Sequence, residues 1–216
     1  DASKLELTKT IDATADKDPL PTSTSVSITG TPQIDKPLKA NVSGLPASPG
    51  TLTYKWYRDG ETTPISGANT DTYTPSVAAD VGKQIKVEVS AANYSGSVTS
   101  APTAAVEKKD YVGSAAVLPT GVTPTYNSVS FTGTAGQEYV CTLSSVATAP
   151  DTGWESVNHF DGLNPDTQYK LWCRVAATAT VKPSTARGDS MFTTFKAPAT
   201  ITIADPGAIV YDGSAV

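Results

Sequence analysis

Gly162-Leu163-Asn164-Pro165-Asp166-Thr167-Gln168-Tyr169 runs directly into Lys170-Leu171-Trp172-Cys173-Arg174-Val175. A leucine ahead of a proline-containing turn, then a tyrosine opening a strand of period two, is the chemistry of a tyrosine corner. The ring enters the core and the hydroxyl bonds back to the turn backbone. The stretch therefore predicts a β-sandwich. Side chains alternate across a strand, so Tyr169, Leu171, Cys173 and Val175 share the core face and Trp172 points the other way.

Around this corner, short alternating stretches recur near Val129–Thr132, Glu138–Ser144, Trp154–Phe160, Gln168–Ala177 and Met191–Phe195. An earlier series covers Val26–Ile28, Leu38–Val42, Leu52–Tyr57, Thr72–Thr74, Ile85–Ala91 and Val98–Val106, with turns rich in Pro, Gly, Ser and Asp between them. Ser76–Asp80 suits a single helical turn, and no helix of three turns is supported. The fold class is all-β: two tandem β-sandwiches, spanning residues 25–107 and 108–196. The charged run Glu107-Lys108-Lys109-Asp110 marks the boundary. Residues 1–24 read as a strand fragment, Leu5-Glu6-Leu7-Thr8, and a linker. Residues 197–216 read as a linker and the start of a third, truncated module, with strands at Ile201-Thr202-Ile203 and Ile209-Val210-Tyr211.

Composition agrees with this division. A chain of 216 residues fits one large or two small domains. With 16 Gly and 16 Pro and many β-branched residues, long helices are poorly served and short strands well served. The net charge of −5, with no stripe of Lys or Arg, excludes a nucleic-acid surface. No apolar run approaches the ~20 residues that span a bilayer. Asp1 opens no charged-then-apolar leader, so in an exported protein the numbering starts after the export signal or within a longer chain.

In the first series, Leu52, Tyr54 and Trp56 share one face, as do Ile85, Val87 and Val89, and Asp80-Val81-Gly82 forms a turn before the latter strand. With Gly30-Thr31-Pro32, Leu38, Tyr54-Lys55-Trp56-Tyr57, Gly67-Ala68 and Tyr73, these residues resemble the immunoglobulin-like repeats of bacterial surface proteins. The inter-sheet cysteines of antibody domains are missing; Ala40, Val42 and Val87 stand in that neighbourhood. Trp56 is then a core residue. Residues 111–196 resemble the fibronectin type III-like repeats of exported proteins of Gram-positive bacteria. That resemblance is carried by Glu138-Tyr139 with Leu143, by Trp154, by Phe160 through Tyr169, by Arg174 through Thr178 and by Thr193-Thr194. Ala208-Ile209-Val210-Tyr211-Asp212-Gly213 resembles the opening of a bacterial repeat named for its Tyr-Asp-Gly motif.

Few residues nominate chemistry. Parity buries both Cys141 and Cys173 on strands that neighbour each other in this fold, which leaves two states open: a disulfide or two buried thiols. Trp172, turned outward, is either a contact for sugar or protein or a residue packed against long neighbours. Arg187-Gly188-Asp189 falls at or just after the loop joining the last two strands, where fibronectin's integrin-binding tripeptide also sits; it is read as a ligand contact or as a turn. His159 is the sole histidine and lies in a strand, so neither a zinc site nor a Ser-His-Asp arrangement is nominated. Asp12, Asp16 and Asp18 lack EF-hand spacing and read as a solvated linker. No catalytic residue, cofactor or metal is assigned.

The resemblance implies a non-catalytic segment of an exported bacterial cell-surface protein. It would serve as spacer, stalk or adhesive module, extracellular and monomeric, with a host matrix protein or glycan as partner if it has one. The alternative is a pair of accessory modules of a secreted carbohydrate-active enzyme.

Overall fold

Strand β5 (Ile85–Ala91) organises the first half of the chain because its residues alternate without a break between buried and half-buried. Ile85, Val87, Val89 and Ala91 face inward, and each buried branched side chain contributes about 1.5–3 kcal/mol. The computed structural model describes residues 17–200, and the expected strands at 5–8, 201–203 and 209–211, with Asp12 and Asp16, lie outside the described residues. The described chain forms two compact units. The first runs up to Val112 and also takes in Ala177–Pro183; the second holds Gly113–Ala176 and the chain from Ser184 onward.

In the first unit, β1 (Ser25–Gly30), β2 (Leu38–Ser43) and β4 (Thr72–Tyr73) form one antiparallel sheet. Strands β3 (Leu52–Arg58), β5 and β6 (Val98–Thr99) form the other. Val26, Leu38 and Ala40 from one sheet meet Trp56, Ile85, Val87 and Val89 from the other in a single core. Trp56 is fully buried, its indole N–H donating to the Thr70 carbonyl at 2.9 Å, so the core role read from strand parity holds.

The expected turn at Ser76–Asp80 is a 3-10 turn over Ala78–Asp80, and it carries the one charged side chain buried among the described residues. Asp80 is fully buried. Its Oδ1 accepts from Arg58 Nε at 2.9 Å and lies 2.8 Å from Arg58 Nη2. Its Oδ2 accepts from the Tyr73 hydroxyl at 2.8 Å and from the N–H groups of Ser76 and Val77 at 3.1 and 3.3 Å. Removing one partner of such a buried pair typically costs about 3–5 kcal/mol, because the other charge is stranded. Burial, followed by the hydrogen bond and charge of Asp80, pushes the Tyr73 phenol well above its ordinary value and keeps it a donor. Burial opposes the Arg58 charge, yet Asp80 outweighs it and raises the guanidinium pKa.

The expected strand at Val98–Val106 is ladder only at Val98–Thr99. Pro102 has no N–H to donate, and beyond Thr99 the pairing mixes backbone and side chain: the Ser100 and Thr103 N–H groups donate to the Val87 and Ile85 carbonyls, while Ser100 Oγ accepts from Val87 N–H at 3.1 Å and Thr103 Oγ1 from Ile85 N–H at 3.0 Å.

In the second unit, β7 (Thr120–Pro124), β8 (Val129–Thr132) and β10 (His159–Phe160) form one antiparallel sheet. Strands β9 (Gln137–Leu143), β11 (Gln168–Val175) and β12 (Arg187–Thr193) form the other. Val129 and Phe131 pack against Tyr139, Tyr169, Leu171, Cys173 and Phe192. The corner is built as expected. The Tyr169 ring is buried, stacked on Phe192 at 5.7 Å between centroids, and its hydroxyl accepts the Asn164 N–H at 2.8 Å. Asp166 holds the turn at φ 49°, a left-handed conformation that aspartate tolerates better than most residues, and its N–H donates to the Phe195 carbonyl.

Three expectations for this unit change. Strand β7 was not anticipated, because Pro119, Gly121 and Pro124 disguise it. The stretch at Trp154–Phe160 changes sheets: Glu155 bridges Tyr139, whereas His159–Phe160 pairs with β8. Strand β12 starts at Arg187 rather than Met191, with a bulge against β11 between Leu171 and Cys173.

Tyr169→Phe removes the hydroxyl and leaves the Asn164 N–H unpaired. The expected loss is about 1–2 kcal/mol, or about 4–16 °C in the transition of the second unit. Thermal unfolding checks this against Tyr126→Phe, at an exposed ring, which is expected to change little; equal effects would remove the corner's claim to a special role.

Candidate interaction surface

Strands β11 and β12 carry every contact residue nominated in the second module. Trp172 does lie on the outer face of the β9–β11–β12 sheet, opposite Tyr169, but it is only 7% exposed. Its indole N–H donates to Thr142 Oγ1 at 2.9 Å. The Lys170 ammonium stands 4.8 Å from the ring centroid and is itself held by the Val146 carbonyl at 3.0 Å. The backbone of Gly188 covers the six-membered ring so closely that a Cβ there would overlap its carbons. Of the two readings of the outward Trp172, its surroundings match the one in which it packs against its neighbours: the residue is on the outer face and covered. The covering residue was hidden because glycine offers no side chain to a pattern of polar and apolar residues.

Two residues along β11, Arg174 places its guanidinium 4.1 Å from the Trp154 ring centroid and pairs with Glu138. The Trp154 N–H donates to the Pro150 carbonyl at 2.8 Å. Each tryptophan of this unit is thus capped by a cation from the same strand, an arrangement worth roughly 0.5–2 kcal/mol per pair.

Arg187-Gly188-Asp189 opens β12, just after the loop that joins it to β11. Arg187 Nη1 donates to the Ala116 carbonyl at 3.2 Å, and Nη2 pairs with Asp189 Oδ2 at 3.2 Å. The charges that would address a partner address each other and the unit's own backbone.

The cysteines are both free thiols. In the β9–β11 ladder Cys141 lies opposite Leu171 and Cys173 opposite Tyr139, so the sulfurs occupy diagonal positions. Diagonal neighbours stand roughly 7–8 Å apart, too far for the Cβ spacing of about 3.8 Å in a disulfide. The bridged state is set aside for that reason. Cys173 is buried as parity implied, while Cys141 is only half-buried, since β9 runs past the core and ends with Leu143 exposed. Burial pushes the Cys141 thiol up to about 12, and burial also raises that of Cys173, opposed by the Arg187 charge and added to by Asp189. Neither is a thiolate at neutral pH, so neither suits a nucleophile.

The remaining candidates do not converge. His159 is exposed, with Asp161 at 3.6 Å. Among the described residues no cluster of three His, Cys, Asp or Glu side chains is placed to hold a metal. An open groove in the second unit is lined by Thr132–Gln137 and Ser156–Asn158 without a charged side chain.

Sequence reasoning missed the polar roles of three buried residues, Asp80, Tyr139 and Gln137. Tyr139 is 2% exposed and its hydroxyl accepts the Thr134 N–H at 2.6 Å, the same five-residue step back as Tyr169 to Asn164. That spacing, with Gly133 against the Tyr139 ring, was the available signal.

No protein-family model and no curated protein matches the sequence. Among solved structures, the three N-terminal domains of the Highly Immunogenic Outer Capsid protein of bacteriophage RB49 align with 80% of this chain at 15% identity, with a TM-score of 0.34. This chain spans 59% of the length of that structure. The FN1–FN3 domains of chicken CNTN1 align with 84% of this chain, covering 68% of theirs, at 14% identity and a TM-score of 0.27. Likenesses this low stand beside the fold; the all-β class rests on the strands and cores described above.

Gly188→Ala drives a methyl into the Trp172 ring and is expected to cost about 1–3 kcal/mol by overpacking. Asp189→Glu, at an exposed pair, is expected to stay within about 0.5 kcal/mol. Denaturant unfolding of both variants checks this; the reverse ranking would mean that the tripeptide projects freely.

Proposed function

We propose that the chain is a non-catalytic spacer segment of an exported bacterial cell-surface protein, extracellular and monomeric, with one module over residues 25–107 and another over 108–196. The carrying observation is that the side chains nominated for partner contact are spent internally. Trp172 is covered by Lys170 and Gly188, and Arg187 is bonded to Ala116 and Asp189. A surface whose aromatic and charged groups are already paired offers little to a partner, because a partner must first break those pairs. The immunoglobulin-like and fibronectin type III-like motifs in the sequence support the same reading, since such modules commonly serve to set distance.

The spacer reading is favoured over the adhesive one on this ground. Surface-immobilised matrix proteins and a glycan array, probed with the whole chain, are expected to give no saturable binding. Saturable binding abolished by Asp189→Glu would make the second module adhesive. A sedimentation measurement is expected to return the monomer mass.

A further inference from the structure

The peptide leading into the second unit is fastened by side chains and not by a sheet ladder. Ala116 and Val117 lie ahead of β7, outside the strands. The Val117 N–H donates to Gln137 Oε1 at 2.7 Å, and Gln137 Nε2 donates back to the Val117 carbonyl at 2.8 Å. One amide side chain thus supplies Val117 with the donor and acceptor that a neighbouring strand would supply. The Ala116 carbonyl accepts from Arg187 Nη1, whose other nitrogen is steadied by Asp189. Ala116 is 1% exposed and packs in the core with Leu118 beside it, while the Val117 side chain faces solvent. Gln137 is itself buried and reaches the Tyr139 hydroxyl at 3.1 Å, so its amide is held in place before it meets Val117.

Bonds made by isolated side chains lack the run of successive partners that a ladder provides, and segments held by few buried contacts open at lower free energy than the sheets they rest on. When a spacer is stretched through its chain, tension reaches the second unit at this peptide and at the chain crossings on either side of Ala177–Pro183. We infer that residues 116–118 form a latched strap, with Gln137 and Arg187 as the latch, that releases before the rest of the second unit under tension and closes again as tension falls. Its use under tension rests on the spacer reading; the latch itself is a property of the fold. Release withdraws Ala116 and Leu118 from the core but leaves the β9–β11–β12 ladder and the Tyr139 and Tyr169 ties made. The inference also gives Arg187 a task inside the unit, that of positioning residue for the strap.

The test uses the full 216-residue chain carrying Ala116→Cys, labelled with a thiol reagent under native conditions and read site by site by mass spectrometry. The introduced thiol is expected to react at least roughly tenfold faster than Cys173, which is exposed only by wider unfolding. Adding Gln137→Leu or Arg187→Met is expected to speed the introduced thiol by roughly another tenfold, the worth of a lost tie, with Cys173 unchanged. Equal rates at both sites, or equal acceleration of both, would overturn the strap. Should Ala116→Cys not fold, the unsubstituted chain pulled through its termini decides the matter. A short extension ahead of the main unfolding of the second unit is expected, and a single step contradicts it. Labelling applies no tension, so its failure counts against the strap alone, whereas failure of the spacer reading appears as saturable partner binding with the labelling ratio intact.

Discussion

Every buried N–H in a sandwich of short strands must find an acceptor, and here buried side chains supply those that the ladders cannot. The Asp80 carboxylate takes the N–H groups of Ser76 and Val77, the Tyr169 hydroxyl takes Asn164, and the Tyr139 hydroxyl takes Thr134. Strands of two to eight residues end quickly, and each end leaves donors facing the protein interior. The same constraint places Ser100 and Thr103 opposite Val87 and Ile85, where Pro102 interrupts the ladder.

Magnitudes explain why such ties matter in cores of this size. A domain retains a net stability of about 5–15 kcal/mol. An unsatisfied buried donor costs about 1–3 kcal/mol. One lost tie is therefore a sizeable fraction of what holds either unit, comparable to burying a whole valine or leucine. The two units solve the problem differently. The first concentrates it on one ionised group, Asp80, balanced by Arg58 and Tyr73. The second spreads it over neutral hydroxyls and an amide, which suits a core in which no charged side chain is buried among the described residues.

Period-two alternation made the central strands legible. Strand β5 appears with its expected bounds, Trp56 and Tyr169 lie in their cores, and the 3-10 turn falls where one helical turn was read. Side-chain facing was also legible, since Trp172 is on the side that parity assigned. Exposure was not, because it depends on what crosses from elsewhere in the chain: Gly188 covers Trp172, and a glycine leaves no mark in an apolar pattern. Register was likewise out of reach. The sequence places Cys141 and Cys173 on the same face of adjacent strands, but an offset of two residues in the pairing separates a bridge from two thiols. Strand β7 was masked by its own prolines and glycine. Asp80 was read as a turn residue because its partner, Arg58, stands 22 positions away.

The central claim is that turn amides whose acceptors are side chains are as firmly held as amides in the ladders. Native-state hydrogen exchange at Ser76, Val77, Thr134 and Asn164 tests it most directly, because each of these N–H groups donates to Asp80, Tyr139 or Tyr169. These amides are expected to exchange as slowly as those of Val89 and Leu171, which lie in the β5–β6 and β9–β11 ladders. Exchange at rates typical of exposed turns would contradict it and return the weight of both folds to apolar packing alone.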